Sequence, residues 1–231
     1  MAKILISGGS GMIGRAVSEL LLKGGHEVRW LSRGEGNSHG IRKFRWDPEN
    51  NTIDARAFDG VNHLIHLAGA GIADHRWTAA YKKKIIQSRI KSAELLFNTL
   101  VRNGVKIDSL VGASAVGFYG AGSGGHVYTE SDPPGTDFLA TVCVEWENSY
   151  QSFSEAGIRV AVIRTGIVLS QHGGAYKKLK PLFSKGLGAV VGNGNQAFPW
   201  IHIHDLAALY CEALFSENYR GAYNATAAEQ V

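Results

Sequence analysis

The chain has 231 residues, of which 45% are hydrophobic and 19% charged, with two cysteines and a formal net charge of +4. That length supports one sizeable core, and the balance is that of a globular protein, not of a disordered or collagen-like chain. Cys143 and Cys211 form no CxxC, which excludes a thiolate zinc knuckle and points to a reducing compartment; with no leader and no long apolar run, the expectation is a cytoplasmic protein with no membrane partner.

In chain order, "KILIS" (3–7) is a short apolar run suited to a buried parallel strand. Gly8–Gly14 punctuates it, and Met12–Lys23 then shows helical spacing through Ile13, Val17, Leu20 and Leu21. Gly24–Gly25 stops that helix, and "EVRWLS" (27–32) is a second strand. "FRW" (44–46) predicts a third strand, "HLIHLAG" (63–69) a fourth, and Tyr81–Asn103 a long helix with an apolar stripe from Ile85 to Leu100. "SLVGAS" (109–114) is the fifth strand, Leu139–Glu155 a helix, and "RVAVIRTGIVL" (159–169) holds the sixth strand. Strands alternating with helices predict a doubly wound α/β fold, its parallel sheet covered on both faces. The expected division is a dinucleotide-binding Rossmann domain over 1–170 and a mixed region over 171–231. The latter is broken by Pro181, Gly186, Gly188, Gly192, Gly194 and Pro199, and contributes a small substrate lobe and late sheet elements. The final "GAYNATAAEQV" follows a strand and suggests a natural chain that continues.

"GGSGMIG" satisfies G-x-G-x-x-G through Gly9, Gly11 and Gly14, and Gly8 offers a second register. Glycines here permit a tight turn, close backbone approach to a pyrophosphate and close helix–strand packing. Ser10, Met12 and Ile13 complete the turn, and the helix opening at Met12 turns its unpaired N–H groups toward phosphate. NAD-specific sites place a carboxylate at the end of the second strand; this chain has Ser32 and Arg33 there, with Arg15 after the last glycine. Two guanidinium groups and a hydroxyl suit a 2′-phosphate, so NADP(H) is expected over NAD(H).

With "SGGSGMIG" (7–14), "HLAG" (66–69), "SAVGFYG" (114–120), "RTGIVL" (164–169) and "WIHIHDLA" (200–207), the chain resembles the extended short-chain dehydrogenase/reductase superfamily. "SRIKSAELL" (88–96), "DFLATVCVEWE" (137–147) and "FPWIHIHDLA" (198–207) resemble its atypical, epimerase-like branch. The resemblance implies that Leu67, Ala68 and Gly69 line the ribose side, that Asp47 lies near the adenine, and that Arg164 to Gly166 pass near the nicotinamide. It also implies a Ser that polarises a carbonyl, a Tyr that passes the proton and a Lys four residues later. Ser114 is present. The Y-x-x-x-K positions hold Leu139 and Cys143, or Phe138 and Val142 one residue back, so the dyad is absent. Tyr119 is the first substitute, with Tyr128, Glu130 and His126 in the following loop and Lys177 and Lys178 as charge partners. Trp77 and Trp200 are candidate pocket walls.

Other constellations are weaker. "HIH" (202–204) with Asp205 lacks a third ligand, so no metal is expected. "GASAV" (112–116) has valine where a nucleophile elbow needs its second glycine, and "GAGSGG" (120–125) is followed by His126 and not by the lysine of a P-loop. "YKKK" (81–84) and "YKKLK" (176–180) read as solvated faces, so no nucleic-acid partner is expected. Two functions follow: an NADP(H)-dependent oxidoreductase or epimerase-like enzyme acting on a carbonyl or hydroxyl small molecule, or a non-catalytic NADP(H)-sensing module. A monomer or homodimer fits either.

Overall fold

The computed structural model describes residues 1–121, 126–171, 173–186 and 197–228. The chain opens with β1 (Lys3–Ser7), α1 (Met12–Lys23), β2 (Glu27–Ser32), β3 (Gly36–Ser38), β4 (Ile41–Asp47) and β5 (Thr52–Ile53). It continues with β6 (His63–His66), α2 (Ala79–Arg102), β7 (Ser109–Ala115), α3 (Phe138–Asn148), α4 (Gln151–Glu155), β8 (Arg159–Thr165) and β9 (Ile167–Ser170). The last elements are α5 (Gly174–Ser184), β10 (Trp200–His202), α6 (Ile203–Phe215) and β11 (Gly221–Ala225).

Among the described residues the main sheet runs β11-β8-β7-β6-β1-β2-β4-β3, with short β5 paired to β4. The strands from β11 to β4 are parallel, and β3 and β5 pair antiparallel with β4 at that edge. The order reverses between β1 and β6, which makes the carboxyl ends of those two strands the topological switch point, where ligands enter such sheets.

Alternation along the strands sorts the core into two layers. Leu5, Leu64, Leu110 and Val162 face one side and pack with Leu96 of α2, Trp146 of α3 and Phe153 of α4. Ile4, Ile6, Ile65, Val111 and Ile163 face the other and pack with Val17 and Leu21 of α1 and Leu206 and Tyr210 of α6. Each fully buried side chain of this kind contributes roughly 1.5–3 kcal/mol, so the two layers hold the sheet between them.

Several sequence-based bounds are corrected. The third strand is longer than 44–46 because Ile41 is also buried. The helix expected over 139–155 breaks at Ser149–Tyr150: Tyr150 turns its ring beneath Gly112, where a Cβ would stand 2.4 Å from it. The run 159–169 is two strands, because Gly166 presses against Pro199 O and β9 leaves the main sheet to pair with β10. Pro181 lies within α5 and does not interrupt it. The chain then returns to the main sheet, α6 packing beside α1 and β11 beside β8.

Candidate functional site

The glycine turn is shaped by contacts that only glycine permits. Gly8 has φ +75°, and a Cβ there would meet the Ala68 amide nitrogen at 3.0 Å. A Cβ on Gly9 would strike the Trp30 indole at 2.2 Å, and one on Gly14 would lie 2.5 Å from Gly9 Cα. Trp30 cannot yield, since its Nε1 donates to Ser18 Oγ at 2.8 Å and that hydroxyl donates to Gly14 O at 2.6 Å. Gly11 caps α1 with no side chain, and the first helical bond is Arg15 N–H to Gly11 O. The amides of Met12, Ile13 and Gly14 therefore precede any intrahelical acceptor and sit at the positive end of the helix. Exposed Ser10 and Gly11 flank them. This donor set fits a diphosphate.

The supporting residues were not all visible from the pattern. His66, at the end of β6, is fully enclosed; its Nδ1 meets Ser7 Oγ and its Nε2 meets Ser92 Oγ at 3.0 Å. Ser92 Oγ donates to Arg89 O at 2.9 Å, so His66 Nε2 carries the hydrogen and Nδ1 accepts from Ser7. Burial pushes the His66 pKa down to about 3, so the ring is a neutral strut between β1 and α2. Leu67 donates its amide to Ser7 O, and Ala68 abuts Gly8, so this loop lies against the glycine turn.

At the carboxyl end of β2, Ser32 Oγ donates to Gly34 O, and Arg33 is exposed. Arg15 is exposed and donates Nε to Ser10 O at 2.8 Å. Neither arginine has an acidic partner among the described residues. Asp47 ends β4 and accepts from the amides of Glu49 and Asn50 and from Asn50 Nδ2; those bonds, the side-chain one foremost, hold its carboxyl below the usual range.

At the same sheet edge, the carboxyl ends of β7, β8 and β11 carry a polar network. Ser114, Arg164 and Asn224 stand side by side, because β7, β8 and β11 place them in register. Glu147 of α3 spans the row: its carboxylate accepts from Arg164 Nε and Nη2, both at 2.9 Å, and from Ser114 Oγ at 2.6 Å. Arg164 Nη1 donates to Tyr119 Oη at 3.0 Å, and Tyr119 Oη donates to Asn224 Oδ1 at 2.7 Å. The guanidinium also lies 3.4 Å from the Phe118 ring centroid. Tyr128 stacks on Tyr119, Glu130 Oε1 accepts the Asn224 amide, and His126 pairs with Asp132. Glu147 and Asn224 escaped the sequence reading; the acidic residue of "VEWE" was the available signal.

Leu139 and Cys143, at the dyad positions, pack under Gly117, and burial pushes the Cys143 thiol up. Trp77 is exposed and set edge-on against Phe138, and Trp200 is half-buried on β10. His202 ends β10 and caps α6, whose first turn holds His204, so the two do not share a strand face; among the described residues no cluster of metal ligands forms. The side chains of Lys177 and Lys178, and residues 122–125 of the "GAGSGG" stretch, lie outside what the structure describes. No described helix is long and apolar enough to cross a membrane.

A doubly wound parallel sheet with a glycine turn at its switch point defines an NAD(P)-binding Rossmann protein of the short-chain dehydrogenase/reductase type. The chain belongs to the NAD dependent epimerase/dehydratase family, whose model matches residues 4–225. An epimerase family protein of Mycobacterium tuberculosis is 38% identical over 226 residues, 97% of this chain and 73% of that protein. A nucleoside-diphosphate sugar epimerase from Corynebacterium glutamicum superposes with a TM-score of 0.86 at 37% identity, covering 100% of this chain but 47% of that one. The human epimerase family protein SDR39U1, solved with NADPH, has a TM-score of 0.84 at 30% identity and is covered over 75% of its length.

Proposed function

We propose that this chain binds NADP(H) in preference to NAD(H) and acts on a small molecule bearing a carbonyl or hydroxyl, as an oxidoreductase or epimerase-like enzyme. One observation carries the cofactor choice: β2 ends in Ser32 and exposed Arg33, with no carboxylate to meet a ribose 2′-hydroxyl. Arg15 adds a second cation at the first turn of α1. The NADPH bound by the human relative supports the same choice. Gly8, Gly9, Ser10, Gly11, Met12, Ile13 and Gly14 hold the diphosphate, and Leu67, Ala68 and Gly69 line the ribose.

When bound, the dinucleotide supplies or accepts a hydride. Ser114 orients the reacting oxygen once its hydroxyl turns from Glu147. Tyr119 moves the proton, its oxygen held by Arg164 Nη1 at 3.0 Å in the place a dyad lysine takes. Glu147 fixes Arg164 for that task with both carboxylate oxygens on the Nε–Nη2 edge of the guanidinium. A second reading, a cofactor-sensing module without turnover, is favoured by one observation. The Ser114 and Tyr119 hydroxyls both already donate within the protein.

Calorimetric titration with NADPH, NADP⁺, NADH and NAD⁺ tests the cofactor claim. Tight binding of the phosphorylated pair, weakened about tenfold in Arg33→Ala with the other pair unchanged, is the expected result. Failure of all four to bind the folded protein overturns both readings. NADPH oxidation across a panel of carbonyl compounds, lost in Tyr119→Phe, separates enzyme from sensor.

A further inference from the structure

Three arginines are buried among the described residues: Arg89, Arg159 and Arg164. Arg164 is paired with Glu147, and Arg159 caps the carbonyls of Ala213 and Leu214 with Glu217 3.8 Å away. Arg89 has no carboxylate partner among the described residues. Its Nη1 donates to Ile85 O at 2.8 Å and to Ala70 O at 3.2 Å, its guanidinium lies 4.4 Å from the Trp146 ring centroid, and its Nε has no hydrogen-bond partner. The ionisable groups that act on it are the Cys143 thiol and Tyr150 phenol, both pushed up by burial, and the Tyr81 phenol, none of them a carboxylate; His66 beside it is neutral. An enclosed cation with neutral neighbours is costly unless an anion answers it.

A single loop separates this charge from the glycine turn. A Cβ on Gly69 would stand 3.0 Å from Arg89 Cζ, so the loop backbone rests directly on the guanidinium. The preceding residue, Ala68, presses its amide against Gly8 of the phosphate turn. One thickness of peptide therefore separates the buried charge from the turn. We propose that Arg89 is a positioning residue whose charge, acting through the Leu67–Ala70 loop, draws the dinucleotide's anionic diphosphate onto the glycine turn. This rests on the dinucleotide reading above. In a poorly screened interior such a charge keeps its reach, and Ala70 O, held by Nη1, sets the loop's height.

Arg89→Met and Arg89→Gln remove the charge, and Arg89→Lys retains it. Unfolding of the ligand-free protein and calorimetric affinity for NADPH are read at two salt concentrations. Either neutral variant is expected to be at least as stable as the wild type when ligand-free, yet to bind NADPH about tenfold more weakly, with a smaller salt dependence. Arg89→Lys is expected to stay within about threefold of the wild-type affinity. Wild-type affinity in a folded neutral variant overturns the inference while leaving the dinucleotide reading intact. So does a loss in Arg89→Lys as large as in Arg89→Met, or failure of both neutral variants to fold. A wild-type protein that binds no dinucleotide overturns the reading itself and this inference with it.

Discussion

At the carboxyl ends of β1, β2 and β6, main chain is pressed against main chain or ring: Gly8 on Ala68, Gly14 on Gly9, Gly9 on Trp30. Ser7, His66 and Ser92 there are neutral and hold elements at fixed spacing, with the Arg89 guanidinium beneath the loop as the buried charge described above. On the β7–β8–β11 side, shape comes from side chains in a charged lattice of Glu147, Arg164, Ser114, Tyr119 and Asn224. A wall made of backbone contacts offers an invariant cradle, suited to a ligand part that never changes. A wall made of exchangeable hydrogen bonds can be rearranged, one bond at a time, around a reacting group.

The sharpest way to break this contrast is Glu147→Ala, which strands Arg164 in a buried site. It is expected to cost about 3–5 kcal/mol of unfolding free energy in denaturant titration while leaving NADPH affinity within about twofold. A comparable loss of affinity would show that the two walls are one unit. His66→Gln probes the other wall through pH. The folded pKa is depressed to about 3 against an ordinary 6.5, so the unfolded chain takes up the proton first and stability falls as pH drops from 6.5 toward 3. About 2–3 kcal/mol of the wild-type loss between pH 7 and pH 4.5 should be missing from the variant's profile. Gly9→Ala, whose methyl meets a pinned indole, is expected to destabilise by about 1–3 kcal/mol and to weaken NADPH at least tenfold. Tyr119→Phe is the smallest change, about 0.5–1.5 kcal/mol of stability with cofactor affinity unchanged. Weakened NADPH binding in that variant would place the tyrosine in the cofactor wall.

Legibility in the sequence follows the same division. β1, α1 and β2 begin and end where hydrophobic period and glycine punctuation place them, since those elements are specified by local pattern. The close packing at Gly14 was legible for the same reason, whereas the contact of Gly9 with the Trp30 indole was not. The polar wall was half legible: Ser114 and Tyr119 stood out, but Glu147 and Asn224 meet Arg164 only because strand register and a helix bring them together. His66 hid inside the apolar-looking "HLIHLAG", and Arg89 inside a helix whose other cations are exposed or, like Lys82, half-buried. Gly166 gave no local warning either. The run "RVAVIRTGIVL" keeps its apolar character across the point where the strand changes sheets.

The pairing of β11 with β8, Gly221 opposite Ala161, has a consequence during synthesis. All seven residues of β8 are buried in the finished protein, yet the neighbour on one flank is not made until the chain has passed through β9, α5, β10 and α6. At roughly 5–20 residues per second, a ribosome leaves that flank of the sheet open for seconds. During that interval the nascent chain presents an unpaired strand flank to any other extended segment, so slower translation over residues 166–220 is expected to lower the yield of folded protein.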